Sequence, residues 1–354
     1  MSNILNVFRQ DAFSTVSLTS FVDRYPYRPT GLGDLNLFDD LPIRATALAV
    51  ENRTGVLRVV PTSPRGAPPV ERLTEKRNMR YFDVPRLAHG DTLMASELQN
   101  IRAFGDADGE VTVFMQVQDE VARRLSGPTG LQANMEATWE LHRLGAVQGT
   151  LLDTDGTVIY NWFNEFGITQ AAEIAFNLPA APAALEGAPV GGLRISCNQV
   201  VRAMMRASQG AWTAGTRVQA IVGDTFWDRL VTHPDVVRTY LNWNEAEDLR
   251  KGSAFASMPF GGIDWMNYRG SNDNATIAVA SDKAKFFPVG APGVFQVAWA
   301  PGESVEWVNT PGRPLYVQPI IDRDRGWFFR QELYSYPLHI CTRPEMLISG
   351  RAGT

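Results

Sequence analysis

The stretch LLDTDGTVIYNWFNEFG, residues 151–167, joins an apolar run to two aspartates, a glycine and a segment that alternates between apolar and polar residues. The aspartates, Asp153 and Asp155, allow three interpretations: a metal-binding loop, a pair of catalytic acids, or a turn between two strands. The correct interpretation decides whether this chain carries out chemistry.

Neither chemical interpretation finds support around the aspartates. A calcium loop that starts at Asp153 needs glycine at its sixth position and glutamate at its twelfth, but the chain has Val158 and Asn164 there. Paired acids of the glycosidase kind need a cleft and a second carboxylate at a set distance, which the sequence does not supply. Asp-Gly between two apolar runs is typical of a type I′ hairpin turn. We therefore predict that Asp153, Asp155 and Gly156 form a hairpin turn.

The rest of the chain contains no recognisable catalytic, cofactor or metal motif. No Gly-x-Ser-x-Gly elbow and no Gly-Lys-Ser/Thr phosphate loop occurs. Two cysteines are too few for a disulfide framework or a cysteine-rich zinc site. The histidines lie at no metal-ligand spacing from each other or from a cysteine; they are His89, His142, His233 and His339, and the cysteines are Cys197 and Cys341. The sequence thus predicts no enzyme, no metal and no cofactor.

Composition and charge further limit the kinds of protein that the chain can be. The chain has 354 residues, of which 44% are hydrophobic and 20% charged, so we expect it to fold around a core. A net charge of −5 gives no general case for nucleic-acid affinity. The first residues, MSNILNVFRQDAF, do not resemble a signal peptide, and no apolar run approaches the roughly 20 residues of a membrane span. We expect a soluble protein made in a reducing cytoplasm.

A long charged excursion is the most informative feature near the N-terminus. Residues 46–60 and 71–95 have the pattern of extended strands, and the proline-rich stretch 62–70 separates them. An isolated long hairpin is not stable in water. Either it rests on an acidic neighbour, or it is a solvated surface ribbon. It carries a local charge of about +4, with basic residues Arg53, Arg58, Arg65, Arg72, Lys76, Arg77, Arg80 and Arg86 against acids Glu51, Glu71, Glu75 and Asp83.

Apolar periodicity predicts the helices. Residues 108–126 and 131–148 have helical spacing, with an interruption at SGPTG (126–130) and an end near Gly149. Residues 193–208 form an amphipathic pattern, and Cys197 lies on its apolar stripe as a core residue.

The other segments are shorter or less regular. Residues 217–223 have the pattern of a buried strand, and two short helices follow, the second of which starts at Pro234. From residue 259 onward, short strands alternate with Gly/Pro turns. Residues 1–45 are poor in regular structure yet carry Leu32, Leu35, Leu37 and Phe38, which predicts an extended arm that lies on another surface.

Several stretches of the chain resemble those of a known family. The stretch RYFDVPRLAHGDTLMASELQNIRAFG (80–105), followed by ELHRLGAVQGTLLDTDGTVIYNWFNEFG (140–167), is similar to the major capsid proteins of lambda-type tailed phages, the capsid protein E family. The shared features are an Arg-Ala-Phe-Gly after a Pro-containing strand, a Gly-x-x-x-Asp-x-Asp-Gly hairpin and a Phe-Gly. The closing YSYPLHICTRPEMLI (334–348) resembles the end of the family.

The resemblance implies the α+β Johnson fold of tailed-phage capsids and a division of the chain into five regions. They are an N-terminal arm (1–45), an extended E-loop (46–95), a spine helix region (96–150), a peripheral domain (151–190 and 318–354) and an axial domain (191–317).

The resemblance also implies a function. The chain would be the major capsid protein of a tailed bacteriophage, which assembles in the bacterial cytoplasm into hexamers and pentamers of an icosahedral shell around double-stranded DNA, without sequence-specific contact. A portal protein, a separate scaffold protein and a decoration protein would be its partners. Its E-loop would contact neighbouring subunits through Arg53, Arg58, Arg72, Lys76, Arg77 and Arg80.

Two alternatives remain open at the level of sequence. An encapsulin-like compartment shell shares the fold but encloses enzymes rather than DNA. A soluble hydrolase would use Asp153 and Asp155.

Overall fold

The computed structural model describes residues 27–54, 76–99, 120–180, 191–241, 257–271, 273, 275–322, 324–325 and 327–353, and it shows a mixed α+β fold. The helices are α1 Ala95–Gln99, α2 Leu131–Gln148, α3 Trp162–Phe166, α4 Gly192–Ala207, α5 Asp224–Val231 and α6 Pro234–Leu241. The strands are β1 Asp39–Pro42, β2 Ala47–Thr54, β3 Lys76–Asp83, β4 Leu87–Met94, β5 Thr150–Leu152, β6 Val158–Asn161, β7 Ile174–Ala175, β8 Arg217–Val222, β9 Ser257–Phe260, β10 Ile263–Asn267, β11 Lys283–Val289, β12 Phe295–Trp299, β13 Tyr316–Ile321, β14 Phe328–Ser335, β15 Pro337–Cys341 and β16 Ile348–Arg351.

The long helix α2 lies at the centre of the fold. Residues 120–126 are also helical, and the chain turns at 127–130 before α2 begins, so the predicted interruption is confirmed. The helix ends at Gly149, which adopts a left-handed conformation with φ 85°. A Cβ atom at Gly149 would lie 2.3 Å from the ring of Phe163. Only glycine satisfies both the backbone angle and the space at this position.

A six-stranded sheet forms the largest layer, in the order β7-β16-β11-β8-β10-β9. Strand β8 is buried at every position after its first, as its apolar run predicts. An aromatic cluster packs beside the sheet, and its rings lie 5.3 to 5.8 Å apart; its members are Phe176, Phe226, Trp265 and Phe286. Helix α4 packs its apolar stripe inward with Cys197 fully buried, and α6 starts at Pro234, so these predictions are confirmed.

Two three-stranded sheets complete the fold, in the orders β13-β14-β4 and β1-β12-β15. Helix α2 packs against the first of them through Leu131, Met135 and Trp139, which share a buried cluster with Leu333. Strands from different predicted regions pair with each other. Strand β4 lies in the segment 46–95 but pairs with β14, whereas β7 and β16 join the six-stranded sheet. Long-range packing of apolar faces, which a linear pattern does not encode, decides these pairings.

The turn of the opening stretch lies between β5 and β6, but the predicted type I′ geometry is wrong. That geometry needs positive φ at two central residues, whereas Gly156 alone has positive φ here, at 83°. The amide of Gly156 donates to the carbonyl of Asp153 at 3.0 Å, and the amide of Asp153 donates to the carbonyl of Thr157 at 2.9 Å. The loop is therefore a three-residue type I turn in which Gly156 takes the left-handed position.

Residues 1–26 of the predicted arm lie outside the described residues, and the described part packs on the chain itself rather than on another surface. Residues 31–36 form turns rather than an extended segment. Leu32 is fully buried, and Leu35, Leu37 and Phe38 pack against the same core. Their apolar side chains are thus covered within one subunit.

We predict that Gly149→Ala lowers the free energy of unfolding by more than about 2 kcal/mol, because it adds a steric clash to the roughly 1–2 kcal/mol cost of left-handed backbone. Gly156→Ala is the matched control, since Gly156 has a similar φ and a Cβ atom there would meet nothing within 4 Å. Urea unfolding of both variants measures the difference. Equal losses in the two variants would contradict the role of Phe163.

Candidate functional site

The hairpin of β2 and β3 is the strongest candidate for an assembly contact. The strands pair from Ala47 opposite Asp83 to Thr54 opposite Lys76. Among the described residues they form a sheet of two strands. A two-stranded hairpin is marginally stable in water unless something covers it.

The base of this hairpin is anchored in the core. Leu48 and Phe82 occupy paired positions and are 4% and 2% exposed. The Phe82 ring lies 5.5 Å from Trp162 and 5.6 Å from Tyr160. The Tyr160 hydroxyl donates to the carbonyl of Asp83 at 3.0 Å. The segment 151–167 of the opening stretch therefore serves as the platform from which the hairpin projects.

Beyond its base, the hairpin exposes apolar side chains. Tyr81 is 70% exposed and Met79 is 53% exposed, and they lie on one face of β3. The Tyr81 hydroxyl donates to the Met79 sulfur at 3.1 Å. Exposed large apolar groups beside each other on a projecting ribbon are typical of an interaction surface.

The predicted contact residues fall partly on this ribbon. Arg53 and Arg77 occupy directly paired positions, and Arg80 pairs with Val50. Arg80 is half-buried, and no ion pair to it occurs within the described part of the chain. Lys76 is the first residue of β3. Arg58 and Arg72 lie outside the described residues.

Asp153 and Asp155 are exposed and serve the turn. Asp153 accepts the amide of Thr154 at 2.7 Å. Asp155 accepts the amide and the hydroxyl of Thr157 at 2.8 Å and 2.7 Å. These hydrogen bonds lower the pKa of Asp155. Among the described residues, no group of three or more potential metal ligands occurs, and no helix is both long and apolar enough to cross a membrane.

A buried glutamate that the sequence did not reveal connects three parts of the fold. The Glu140 side chain on α2 is fully buried. It accepts the amides of Leu32 and Gly33 at 2.6 Å and 3.1 Å and the hydroxyl of Tyr268 at 3.0 Å. Arg143 lies 3.4 Å from its second oxygen. Burial raises the pKa of Glu140, and the two amides, Arg143 and Tyr268 oppose that shift.

Two buried histidines lie next to each other, and one of them, His142, is on the same helix as Glu140. The rings of His142 and His339 are 6.0 Å apart, and both side chains are at most 1% exposed. Their four ring nitrogens have no hydrogen-bond partner among the described residues. Burial lowers the pKa of His142 to about 4, against a smaller raising effect of Asp153. Burial, together with His142 and Arg143, lowers the pKa of His339 well below its usual range.

Comparison with known proteins identifies the family. A model described as phage major capsid protein E matches residues 14–352. The major capsid protein of Salmonella phage Felix O1 is 24% identical over 372 residues and covers 96% of both chains. That of Pseudomonas phage KPP10 is 27% identical over 299 residues, 78% of this chain and 79% of the relative. The capsid of Ralstonia phage GP4 matches with TM-score 0.50 and 13% identity over 94% of this chain and 93% of that chain.

The chain belongs to the phage major capsid protein E family and is therefore a structural protein of a tailed-phage head, located in the virion, rather than an enzyme. The Johnson fold that the resemblance implied is confirmed by the similarity to a solved capsid. The encapsulin-like and hydrolase alternatives are not favoured by this membership.

Sequence reasoning missed Glu140, His142 and His339 as partners. Glu140 lies on a helix face whose other members are mostly apolar, and this charge on the buried stripe is the one signal that was present. No pattern pairs it with residues 108 and 128 positions away.

We predict that Glu140→Gln lowers the free energy of unfolding by about 1–3 kcal/mol, because the NH2 group that takes the place of Oε2 can accept from neither Gly33 nor Arg143. Glu136→Gln on the same helix is the control, since Glu136 makes a partly exposed ion pair with Arg28 at 2.7 Å and should cost less than about 1 kcal/mol. Urea unfolding and limited proteolysis around residue 30 measure both variants. An equal effect of the two substitutions would argue against the role of Glu140.

We predict that the unassembled chain loses stability as pH falls from 7 to 5. A histidine whose folded pKa is depressed contributes stability above its unfolded pKa and loses it as pH falls towards the folded value. For His142 the loss over this window is on the order of 2 kcal/mol. His142→Leu should remove about that much of the pH dependence, measured by urea unfolding at both pH values. An unchanged dependence would show that His142 titrates normally.

Proposed function

We propose that this chain self-associates into hexamers and pentamers of an icosahedral head shell, and that the β2–β3 hairpin makes contacts with a neighbouring copy. The observation that supports this proposal best is the difference in solvent exposure along the hairpin. Leu48 and Phe82 are buried at its base, whereas Met79 and Tyr81 are largely exposed further out. A ribbon anchored at one end and apolar at its surface gains stability when a second copy covers it.

Charge supports a contact between subunits. Arg53 lies opposite Arg77 in the register of β2 and β3, so the ribbon has two arginines at one paired position. Arginine forms bidentate pairs with carboxylates, which an adjacent copy would supply. We assign this role to Arg53, Arg58, Arg72, Lys76, Arg77 and Arg80.

We propose the five regions of the family for this chain, with two adjustments that follow the strand pairing. The hairpin proper spans residues 47–83, because β4 pairs with β14. Strands β7 and β16 are assigned with the axial domain, because they pair within the six-stranded sheet. Helix α2 serves as the spine, residues 1–45 as the arm, and the sheet β13-β14-β4 as part of the peripheral domain.

Membership in the family supports a proposal about further partners. We propose that assembly takes place in the bacterial cytoplasm around a separate scaffold protein and a portal, and that a decoration protein joins the shell. The packaged double-stranded DNA would make no sequence-specific contact. A net charge of −5 is consistent with a wall that does not adhere to the DNA inside it.

The charge of the hairpin provides the test. We predict that Arg77→Glu combined with Arg80→Glu abolishes shells, because reversed charges repel the acids of the neighbour. The variant is co-expressed with the other head-assembly genes and viewed by negative-stain electron microscopy, and circular dichroism reports folding of the unassembled chain.

Arg77→Lys combined with Arg80→Lys is the matched control, since it keeps the positive charge at the same positions, and it should still give shells. Normal shells from the charge-reversed variant would contradict the proposed role of the hairpin.

A further inference from the structure

The exposed face of helix α4 is basic. Between Glu186 and Asp224 the chain contains no acidic residue, and the charged side chains of α4 are all arginines. The other described helices of eight or more residues, α2, α5 and α6, each carry at least one acid. In a chain of net charge −5, α4 therefore presents a local surplus of positive charge.

The arginines lie opposite the buried side of the helix. Arg194, Arg202 and Arg206 are separated by multiples of four residues, so they fall within about 120° of the helix circumference. All of them are exposed. The apolar stripe occupies the other side, with Leu193, Cys197, Val200 and Met204 buried. Helix α4 thus turns one apolar face to the core and one cationic face to solvent.

No acid of the same subunit neutralises this face within the part of the chain that the structure describes. Arg202 and Arg206 make no ion pair or hydrogen bond to a described residue. The Arg194 guanidinium lies 5.7 Å from the centre of the Phe260 ring. Like charges four residues apart on a helix repel each other. Carboxylates from another molecule would offset that repulsion, and arginine forms bidentate pairs with them.

Apolar side chains accompany the arginines. Ile195 is 60% exposed and Met205 is 47% exposed on the same side of the helix. The exposed residues between them include the amides Asn198 and Gln199. Arginine and methionine are enriched at protein interfaces. Contacts to phosphate use charged and polar groups and would leave Ile195 and Met205 without a role. The face therefore suits an acidic protein better than DNA.

Both ends of α4 are held by the subunit. The Asp235 carboxylate accepts the amides of Gly191 and Leu193 at 2.9 Å and 3.2 Å. Arg343 donates to the carbonyl of Ser208, directly after the helix. Over its 16 residues the helix rises about 24 Å. The cationic face is therefore a preformed surface along which a partner helix can lie.

A second copy of the chain offers no described helix that complements this face. On α5 the acids Asp224 and Asp228 are exposed, but the large apolar residues of that helix are buried. The α6 acid, Asp235, is itself buried against α4. On α2, Glu140 is buried and the other acid is paired with Arg28. Exposed acids beside exposed apolar groups are thus better supplied by a different protein.

We propose that the exposed face of α4 binds the scaffold protein, through an amphipathic helix of the scaffold that carries acids beside an apolar stripe. This inference rests on the proposed function, which includes a separate scaffold, and it names the surface of the shell subunit that the scaffold contacts. Carboxylates of that helix would pair with Arg202 and Arg206, and its apolar stripe would cover Ile195 and Met205. Exposed ion pairs contribute at most about 1 kcal/mol each, so the many copies in a shell would supply the avidity.

A cross-link without a spacer tests the contact directly. Arg202→Lys keeps the positive charge and places an amine where we expect a carboxylate of the partner, and a carbodiimide joins an amine to a carboxylate that touches it. The variant is co-expressed with the other head-assembly genes but without DNA packaging, and the treated shells are analysed by peptide mass spectrometry. We expect residue 202 to be joined to an Asp or Glu of a head-assembly protein that is absent from DNA-filled heads.

Arg313→Lys is the matched control for the cross-link. Arg313 is an exposed arginine outside α4, over the Trp307 ring at 4.7 Å, and the change should give no product with the scaffold. A product that joins residue 202 to another copy of this chain would overturn the proposal. So would the absence of any product at residue 202 in shells that contain the scaffold.

Charge reversal separates binding from folding. We expect Arg202→Glu combined with Arg206→Glu to lower the yield of scaffold-containing shells about tenfold, because acids of the scaffold then meet acids on α4. Arg202→Lys combined with Arg206→Lys keeps the charge and should assemble nearly as well as the wild type. The Tm of the unassembled chains should be similar in all cases, because both positions are exposed.

The outcomes distinguish the two proposals. If the wild-type chain gives no shells, the proposed function fails. If the charge-reversed α4 variant gives as many shells as the wild type, with the same scaffold content, the proposed function stands and α4 is not the scaffold contact.

Discussion

The buried carboxylate of Glu140 is the interaction on which the arrangement of the subunit depends. It lies on the central helix and accepts donors from the N-terminal segment, from Tyr268 after β10 and from its own helix. A carboxylate without water is costly unless several donors satisfy it. Because these donors come from separate parts of the chain, the site is complete only when all of them are in place. Glu140 thereby sets the position of the segment that precedes β1 relative to α2.

From Glu140 outward to the hairpin, the side chains become more exposed to solvent. His142 on α2 and His339 on β15 are buried, and burial keeps their pKa values low, which favours the neutral form. The platform of Tyr160, Trp162 and Phe166 then holds the base of the hairpin through Phe82. Beyond Phe82, the side chains of Tyr81 and Met79 face solvent. The core of a single subunit therefore ends at the base of the hairpin.

The local features could be predicted from the sequence. Apolar spacing predicted α2 and the helix that contains Cys197, and Gly and Pro residues predicted the end of α2 near Gly149, a break at 126–130 and the start of α6 at Pro234. The ordered motifs from Arg80 to Gly167 indicated the family, and net charge and missing motifs argued against an enzyme. The geometry of the turn at Gly156, the course of residues 31–36 over Glu140 and the pairing of β4 with β14 depend on tertiary packing. The physical reason is the distance along the sequence between the residues that decide each feature. Helix and strand periods are written in neighbouring residues, whereas a buried charge or a strand partner depends on atoms more than a hundred residues away, which only the packed chain brings together.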